Sequence, residues 1–307
     1  MKWILCGKND AAIAALEFLV QQGDEVLVVG VHGDDGRDGW QRSLRKAAAR
    51  LGVRFEQPRK IHAPEVLERL AGFGARALFS IQYDQILHAP LFRALPAPCL
   101  NLHFSLLPRH RGVSPIAWAI LSGDAEAGAT LHHMVEAIDA GDLIAQQRVR
   151  IGAEDTARDL YDETVRAAVR LFCASYPFSD SLLATRLPQD AGAAVYHRAG
   201  DFDFSQRRVD WSRPAAELQR WLRAMIFPPH QHPEIRVGGR SLEVTRVGAE
   251  LAPAAAPPGS VLEVSPQGAR IACADASLWI RGLADPARPE PSREAPLASL
   301  RVGDRLG

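Results

Sequence analysis

The opening stretch of the chain alternates short apolar runs with amphipathic ones, and that alternation constrains the fold more than any other feature. Trp3–Cys6, Glu25–Val31 and Ala75–Ile81 are apolar runs of strand length, whereas Ala11–Gln22, Trp40–Leu51 and Ala63–Leu70 space their apolar side chains as helices do. Strands that alternate with helices imply a parallel sheet with helices on both faces. Right-handed crossovers then make it a doubly wound α/β domain. Ligands in such sheets sit outside the carboxyl ends of the strands. Cys99–Phe104 reads as a later strand of the same sheet, which places Asn101 and His103 near such an end.

Further on, Pro115–Leu121 reads as a short helix with proline where a missing N–H costs nothing. Thr130–Val135 and Leu143–Ile151 read as strands joined by a turn that holds Asp139 and Gly141, and Thr156–Ser175 as a helix that Pro177 disturbs on its way to Leu183. From about Ala193 the composition changes. Glu234–Val237, Leu242–Val247, Val261–Val264, Ala269–Ala274 and Leu278–Ile280 are short β-like pieces behind one helix, Pro214–Met225, with Leu251–Gly259 as an Ala/Pro-rich loop among them. Two domains are expected: residues 1–190, α/β, and residues 191–307, a smaller β-rich domain resembling an OB-like barrel.

At 307 residues, with 47% apolar and 23% charged residues, a substantial core is expected rather than disorder. Lys plus Arg balance Asp plus Glu at 36 each, so bulk charge does not ask for nucleic acid or an anionic membrane. The opening Met1–Gly7 holds an apolar run too short for a secretory signal core, and no run reaches the length of a membrane span. Four scattered cysteines, Cys6, Cys99, Cys173 and Cys273, form no CxxC pair. A reduced, cytoplasmic setting is expected.

Asn101 and His103 lie two residues apart and share a face if their segment is a strand. A carboxylate follows on the turn Asp139-Ala140-Gly141-Asp142. An amide for an oxyanion, a base, and a carboxylate to tune the base are the kit for acyl transfer without a covalent intermediate. The carboxylate is expected to raise the imidazole pKa; spacing alone leaves Asp139 and Asp142 both open as its source. Other readings are weaker. Ser105 lacks the Gly-x-Ser-x-Gly elbow of a hydrolase. His132-His133 and His230-x-His232 lack a third ligand for a metal, and a surface or loop role is expected for both pairs. The arginines from Arg207 to Arg223 read as a solvated helix face.

Together these segments resemble the formyltransferases that use 10-formyltetrahydrofolate. The resemblance rests on Asn101-x-His103-x-Ser105-Leu106-Leu107-Pro108, Arg111-Gly112, Pro115, Trp118-Ala119-Ile120, Gly123, Gly128-x-Thr130, Met134 and Asp139-x-Gly141-Asp142-x-Ile144. It continues through Asp210-Trp211-Ser212-x-Pro214, Pro258-Gly259-x-Val261 and Gly303-Asp304-x-Leu306-Gly307, nearly the whole length. It implies a Rossmann-like catalytic domain and a catalytic triad of Asn101, His103 and Asp139. Asn101 would donate to the oxyanion, His103 would carry protons between the attacking amine and folate N10, and Asp139 would hold and polarise His103. Folate would be read largely by backbone, from Gln85, Ile86 and Leu87 and from Val135, Glu136, Ala137 and Ile138. No metal is implied.

The acceptor follows from the same likeness. The acidic-to-neutral loop His32–Gly39, Ser80–Ile86 and Phe227-Pro228-Pro229 are more similar to formyltransferases acting on nucleotide-linked amino sugars than to those acting on initiator methionyl-tRNA. Tyr83, Ser105 and Arg111 are candidate substrate contacts. Val113 departs from the pattern, standing where relatives of the aminoarabinose pathway have arginine. The expected partner is thus a small amino-sugar nucleotide, with nucleic acid and membrane disfavoured and a homodimer allowed. The alternatives are tRNA formylation and a folate-binding module without catalysis.

Overall fold

The computed structural model describes residues 1–288, 294–295 and 297–307. The chain divides into two compact units, residues 1–115, 127–149 and 163–198 in the first and 116–126, 150–162 and 199–307 in the second. In chain order the first strands and helices are β1 (Lys2–Gly7), α1 (Asn9–Gln21), β2 (Glu25–Gly30), α2 (Leu44–Leu51), β3 (Arg54–Glu56), α3 (Pro64–Phe73), β4 (Ala77–Ile81), α4 (Ala89–Ala94) and β5 (Cys99–His103). There follow β6 (Arg111–Gly112), α5 (Pro115–Leu121), β7 (Glu126–His133), β8 (Leu143–Arg150), α6 (Ala157–Ser175), α7 (Asp180–Leu183) and β9 (Tyr196–His197).

Seven strands form the main sheet in the order β3-β2-β1-β4-β5-β7-β8. The first five run parallel, as the alternation requires, but β7 pairs antiparallel to β5, so the sheet is mixed. Its inner strands β1, β2, β4, β5 and β7 are buried on both faces, whereas β3 and β8 at the edges are partly exposed. From β1, Trp3 joins an aromatic cluster with Phe79, Phe172 and Phe178, ring centroids 4.6–5.6 Å apart. Its neighbours Ile4 and Cys6 point the other way, into a cluster with Leu27, Val66, Leu70, Leu78 and Leu91. Side-chain alternation along each strand thus feeds two cores at once.

Local chemistry sets the element ends. The helix expected from Trp40 starts only at Leu44, because Ser43 is its cap: the hydroxyl accepts from Lys46 N at 3.0 Å and donates to Asp34 at 2.5 Å. Asp38 fixes the same residue by accepting from Ser43 N at 3.0 Å. Helix α6 stops at Ser175, and α7 is a separate turn capped by Ser179, as Pro177 demands.

The second unit adds α8 (Ala215–Met225), β10 (Glu234–Val237), β11 (Arg240–Ala252), β12 (Val261–Ser265), β13 (Gly268–Ala272), β14 (Ser277–Ala284) and β15 (Glu294–Ala295). Strand β11 is longer than its sequence suggests, carrying Leu251 and Ala252, and three register shifts bend it against β14. The path β10-β11-β14-β13-β12 is closed by the chain's last residues: Arg236 and Gly307 exchange both backbone bonds, and Ser260 bridges Arg305. Trp211, Leu218, Leu222 and Met225 fill the interior of this sheet. No described helix is long and apolar enough to cross a membrane.

Candidate functional site

The site is built on β5. Its register sets Asn101 beside Ser80 of β4 and opposite His132 of β7, and His103 opposite Thr130. Residues directly opposite across an antiparallel pair share a face, so Asn101, His103 and His132 project together. Asp139 joins them from the loop after β7. Its Oδ1 accepts from Asn101 Nδ2 at 3.2 Å, and its Oδ2 accepts from the Gly112 N–H at 2.9 Å and lies 3.5 Å from His103 Nδ1. Asp142, the other acid of that turn, lines a cavity instead.

The loop is held in an uncommon shape. Asp139 has φ 53°, a left-handed conformation that Asp tolerates better than most side chains. One side chain, Gln189, pins it by donating to the carbonyls of Asp139 at 2.8 Å and Gly141 at 2.7 Å. Gly141 must be glycine, since a Cβ there would sit 2.0 Å from the His133 carbonyl. Gly112 is equally constrained, with φ 88° and the His197 carbonyl 2.2 Å from where a Cβ would be.

His103 is buried, and its Nε2–H donates to the His110 carbonyl at 2.9 Å. A carbonyl only accepts, so the ring proton sits on Nε2 and Nδ1 faces Asp139 as a lone pair. At 3.5 Å that contact is too long for a made hydrogen bond. The structure corrects the expected pKa direction. Burial lowers the His103 pKa, outweighing the Asp139 carboxylate and the His110 carbonyl that raise it. Burial alone would raise the pKa of Asp139, but the His103 and His132 rings and the Gly112 N–H hold it well below the usual carboxylate range. An ionised carboxylate thus faces an uncharged base with an open Nδ1, poised to become an ion pair once Nδ1 gains a proton.

His132 corrects a second expectation. Rather than a surface residue, it is 1% exposed, with Nε2 3.2 Å from Asn101 Nδ2 and 3.5 Å from Asp139 Oδ1. His133, on the opposite face, accepts from Arg186, and its Nε2 also lies 3.0 Å from the Thr185 carbonyl. Burial and the Arg186 guanidinium push its pKa down to about 4.

Three candidate substrate contacts have other tasks. Ser105 is buried and donates to the Arg109 carbonyl at 2.7 Å. Arg111 gives Nε and Nη2 to Gln189 Oε1 at 3.0 and 2.7 Å, steadying the residue that pins Asp139. Tyr83 packs against the core and takes a bond from Gln85 at 3.0 Å, and burial raises its phenol pKa. Among the candidate folate residues, the Gln85 side chain is spent as a staple, accepting from Ile61 N and donating to the Pro58 carbonyl, both at 2.9 Å. Leu87 is core, and Glu136 binds the Ala89 N–H at 2.9 Å, which ties the two loops together. Ile86, Val135 and Ile138 stand exposed at 65%, 45% and 39%, and Ala137 takes the Ala140 N–H in the Asp139 loop.

A cavity of about 360 Å³ opens behind that loop, lined by Phe92, Met134, Val135, Gly141, Asp142 and Arg186 among others. The volume lies within the range of small-molecule sites, roughly 300–1,000 Å³. Among the described residues, no three His, Cys, Asp or Glu side chains gather as metal ligands.

Three solved structures share the fold. WlaRD, a sugar 3N-formyl transferase solved with dTDP and 5-N-formyl-THF, is 23% identical, with a TM-score of 0.72 over 92% of this chain and 97% of its own. An N-formyltransferase from Helicobacter canadensis, solved with folinic acid and dTDP-3-aminofucose, is also 23% identical, at 0.74 over 92% and 99%. A 4-N formyltransferase from Francisella tularensis is 22% identical, at 0.62 over 76% and 91%. At such identities the likeness establishes the fold. The family itself is established by sequence models: formyl transferase matches residues 4–175, more than half of the chain, and the formyl transferase C-terminal domain matches residues 203–299. The chain belongs to the formyl transferase family.

Proposed function

We propose that this formyltransferase moves the formyl group of 10-formyltetrahydrofolate to the amine of a nucleotide-linked amino sugar. The observation that carries the reading is the gathering of Asn101, His103 and Asp139 on one face of β5; the residues just after Asp139 also line the cavity, through Ala140, Gly141 and Asp142. The cavity takes the flat pterin ring, with Asp142 and loop backbone meeting its polar edge and the exposed Ile86, Val135 and Ile138 flanking the rest of the folate. The acceptor class is supported by the ligands of similar proteins, dTDP in one and dTDP-3-aminofucose in another.

In this reading the amine nitrogen attacks the formyl carbon, and the carbonyl pair moves onto oxygen. Asn101 N–H stabilises that oxyanion, as preorganised donors do. His103 Nδ1 takes the amine proton, and the new imidazolium pairs with Asp139. When the bond from carbon to folate N10 breaks, His103 returns the proton to N10. The products are the N-formyl sugar and tetrahydrofolate. The catalytic machinery falls within residues 1–190, and the four free cysteines suit a reduced cytoplasm. The test is tetrahydrofolate release across a panel of 3-amino- and 4-amino-deoxysugar nucleotides, with initiator methionyl-tRNA as comparator. Turnover of a sugar nucleotide is expected; turnover of the tRNA alone, or of no acceptor, would overturn the proposal.

A further inference from the structure

The Asn101 amide has two N–H bonds at one end and a carbonyl at the other, and its own strand does not decide which end faces which neighbour. His132 does. Its Nδ1–H donates to the His133 carbonyl at 2.8 Å. In the tautomer that this bond selects, Nε2 presents a lone pair. That lone pair lies 3.2 Å from Asn101 Nδ2, and Asp139 Oδ1 lies 3.2 Å from the same nitrogen. Two acceptors therefore converge on the N–H end of the amide. Turning it over would set its oxygen against a lone pair and a carboxylate, with His132 fully enclosed.

We infer that His132 is a positioning residue for formyl transfer: it fixes the Asn101 amide and holds one N–H in reserve for the formyl oxygen. The N–H···O bond to Asp139 is at the long edge of its range and the N–H···N bond to His132 is as long, so either is readily given up. An uncharged imidazole competes less well for a donor than a carboxylate does. The N–H resting on His132 is therefore the one that turns to the oxyanion, while the bond to Asp139 keeps the side chain in place.

The inference rests on the formyl-transfer reading, so one arm of its test needs no acceptor. With asparagine side chains labelled in 15N, the two Asn101 amide protons should be distinct and slow to exchange, and His132→Leu should move one of them and speed its exchange. Unchanged Asn101 signals overturn the inference whatever the acceptor proves to be. In the kinetic arm, His132→Leu should lower kcat by roughly 10- to 100-fold, within the range for oxyanion donors, with both KM values near wild type. That loss should vanish in an Asn101→Ala background, because the two residues act as a unit. An equal loss in both backgrounds, or none in either, overturns it. His132→Gln, which can offer an oxygen acceptor, should recover most of the rate; a purely structural role would not restore it. If the leucine variant does not fold, His132→Asn, polar but too short to reach Asn101, takes its place in both arms. Failure of every acceptor to react would sink the functional reading and leave the amide measurement standing.

Discussion

Replacing Asp139 by Asn removes one charge and little volume, which isolates what the carboxylate does to His103. The two groups lie 3.5 Å apart and both are buried. Coulomb's law at that distance gives about 1 kcal/mol in water and about 5 kcal/mol at an effective dielectric near 20. A value of about 2–4 kcal/mol between those limits suits a buried pair at the edge of an open site, and corresponds to about 1.5–3 pH units on the imidazole. The sign follows from the chemistry. His103 acts as a base only when uncharged, so activity fails as pH drops through its pKa. Burial already lowers that pKa and Asp139 opposes burial. Without the carboxylate the pKa falls further. The acid limb of kcat/KM should therefore move to lower pH in Asp139→Asn, while the plateau drops by roughly 10²–10⁴-fold, as loss of general acid–base catalysis would. Rate profiles across the imidazole range, paired with NMR titration of the His103 ring to separate it from the substrate amine, give the assay. A limb or ring titration that stays put or rises would refute the reasoning, however large the loss of rate.

Other perturbations have equally definite outcomes. Asn101→Ala should cut kcat by roughly 10²–10³-fold with the folate KM nearly unchanged, measured by steady-state kinetics; a rise in KM alone would assign it to binding instead. His133 has its folded pKa at about 4 against an ordinary 6.5, so its contribution to stability is fully present above pH 6.5 and drains away toward pH 4. Thermal unfolding should show that loss, and His133→Asn should flatten the slope across this window. Gly141→Ala drives a methyl into the His133 carbonyl and should cost about 1–3 kcal/mol in denaturant unfolding together with most of the activity; full activity would mean that the Asp139 loop relaxes freely. Gln189→Leu removes both bonds to the loop carbonyls, and kcat should fall more than folding stability does.

The sheet was legible because β1, β2 and β4 are buried on two faces and read as apolar runs between helical patterns. Short pieces such as β3, β6 and β9 carry too few residues to show a period. Asn101 and His103 could be paired from their spacing on one strand. His132 could not, because its place beside Asn101 comes from the register of a strand 31 residues away, and an adjacent His-His pair has no periodic meaning by itself. Gln189 is hidden for the same reason: it pins a loop 50 residues upstream with a side chain that nothing marks locally. The pKa of His103 went astray because a carboxylate nearby can be read from sequence, whereas the desolvation that outweighs it belongs to the whole fold. Ser105, Arg111 and Gln85 were legible as polar residues near the site, but hydrogen bonds to distant backbone and side-chain groups spend them on holding it.

The antiparallel seam between β5 and β7 has a consequence for how the enzyme comes into being. Side chains on a strand switch faces with every residue, so a slip of one step along this seam would turn His132 away from Asn101 and carry the Asp139 loop with it. The parallel strands could stack correctly in that mispaired chain, and it would still be inert. Competence for the chemistry is therefore acquired only when this pairing locks in the right phase.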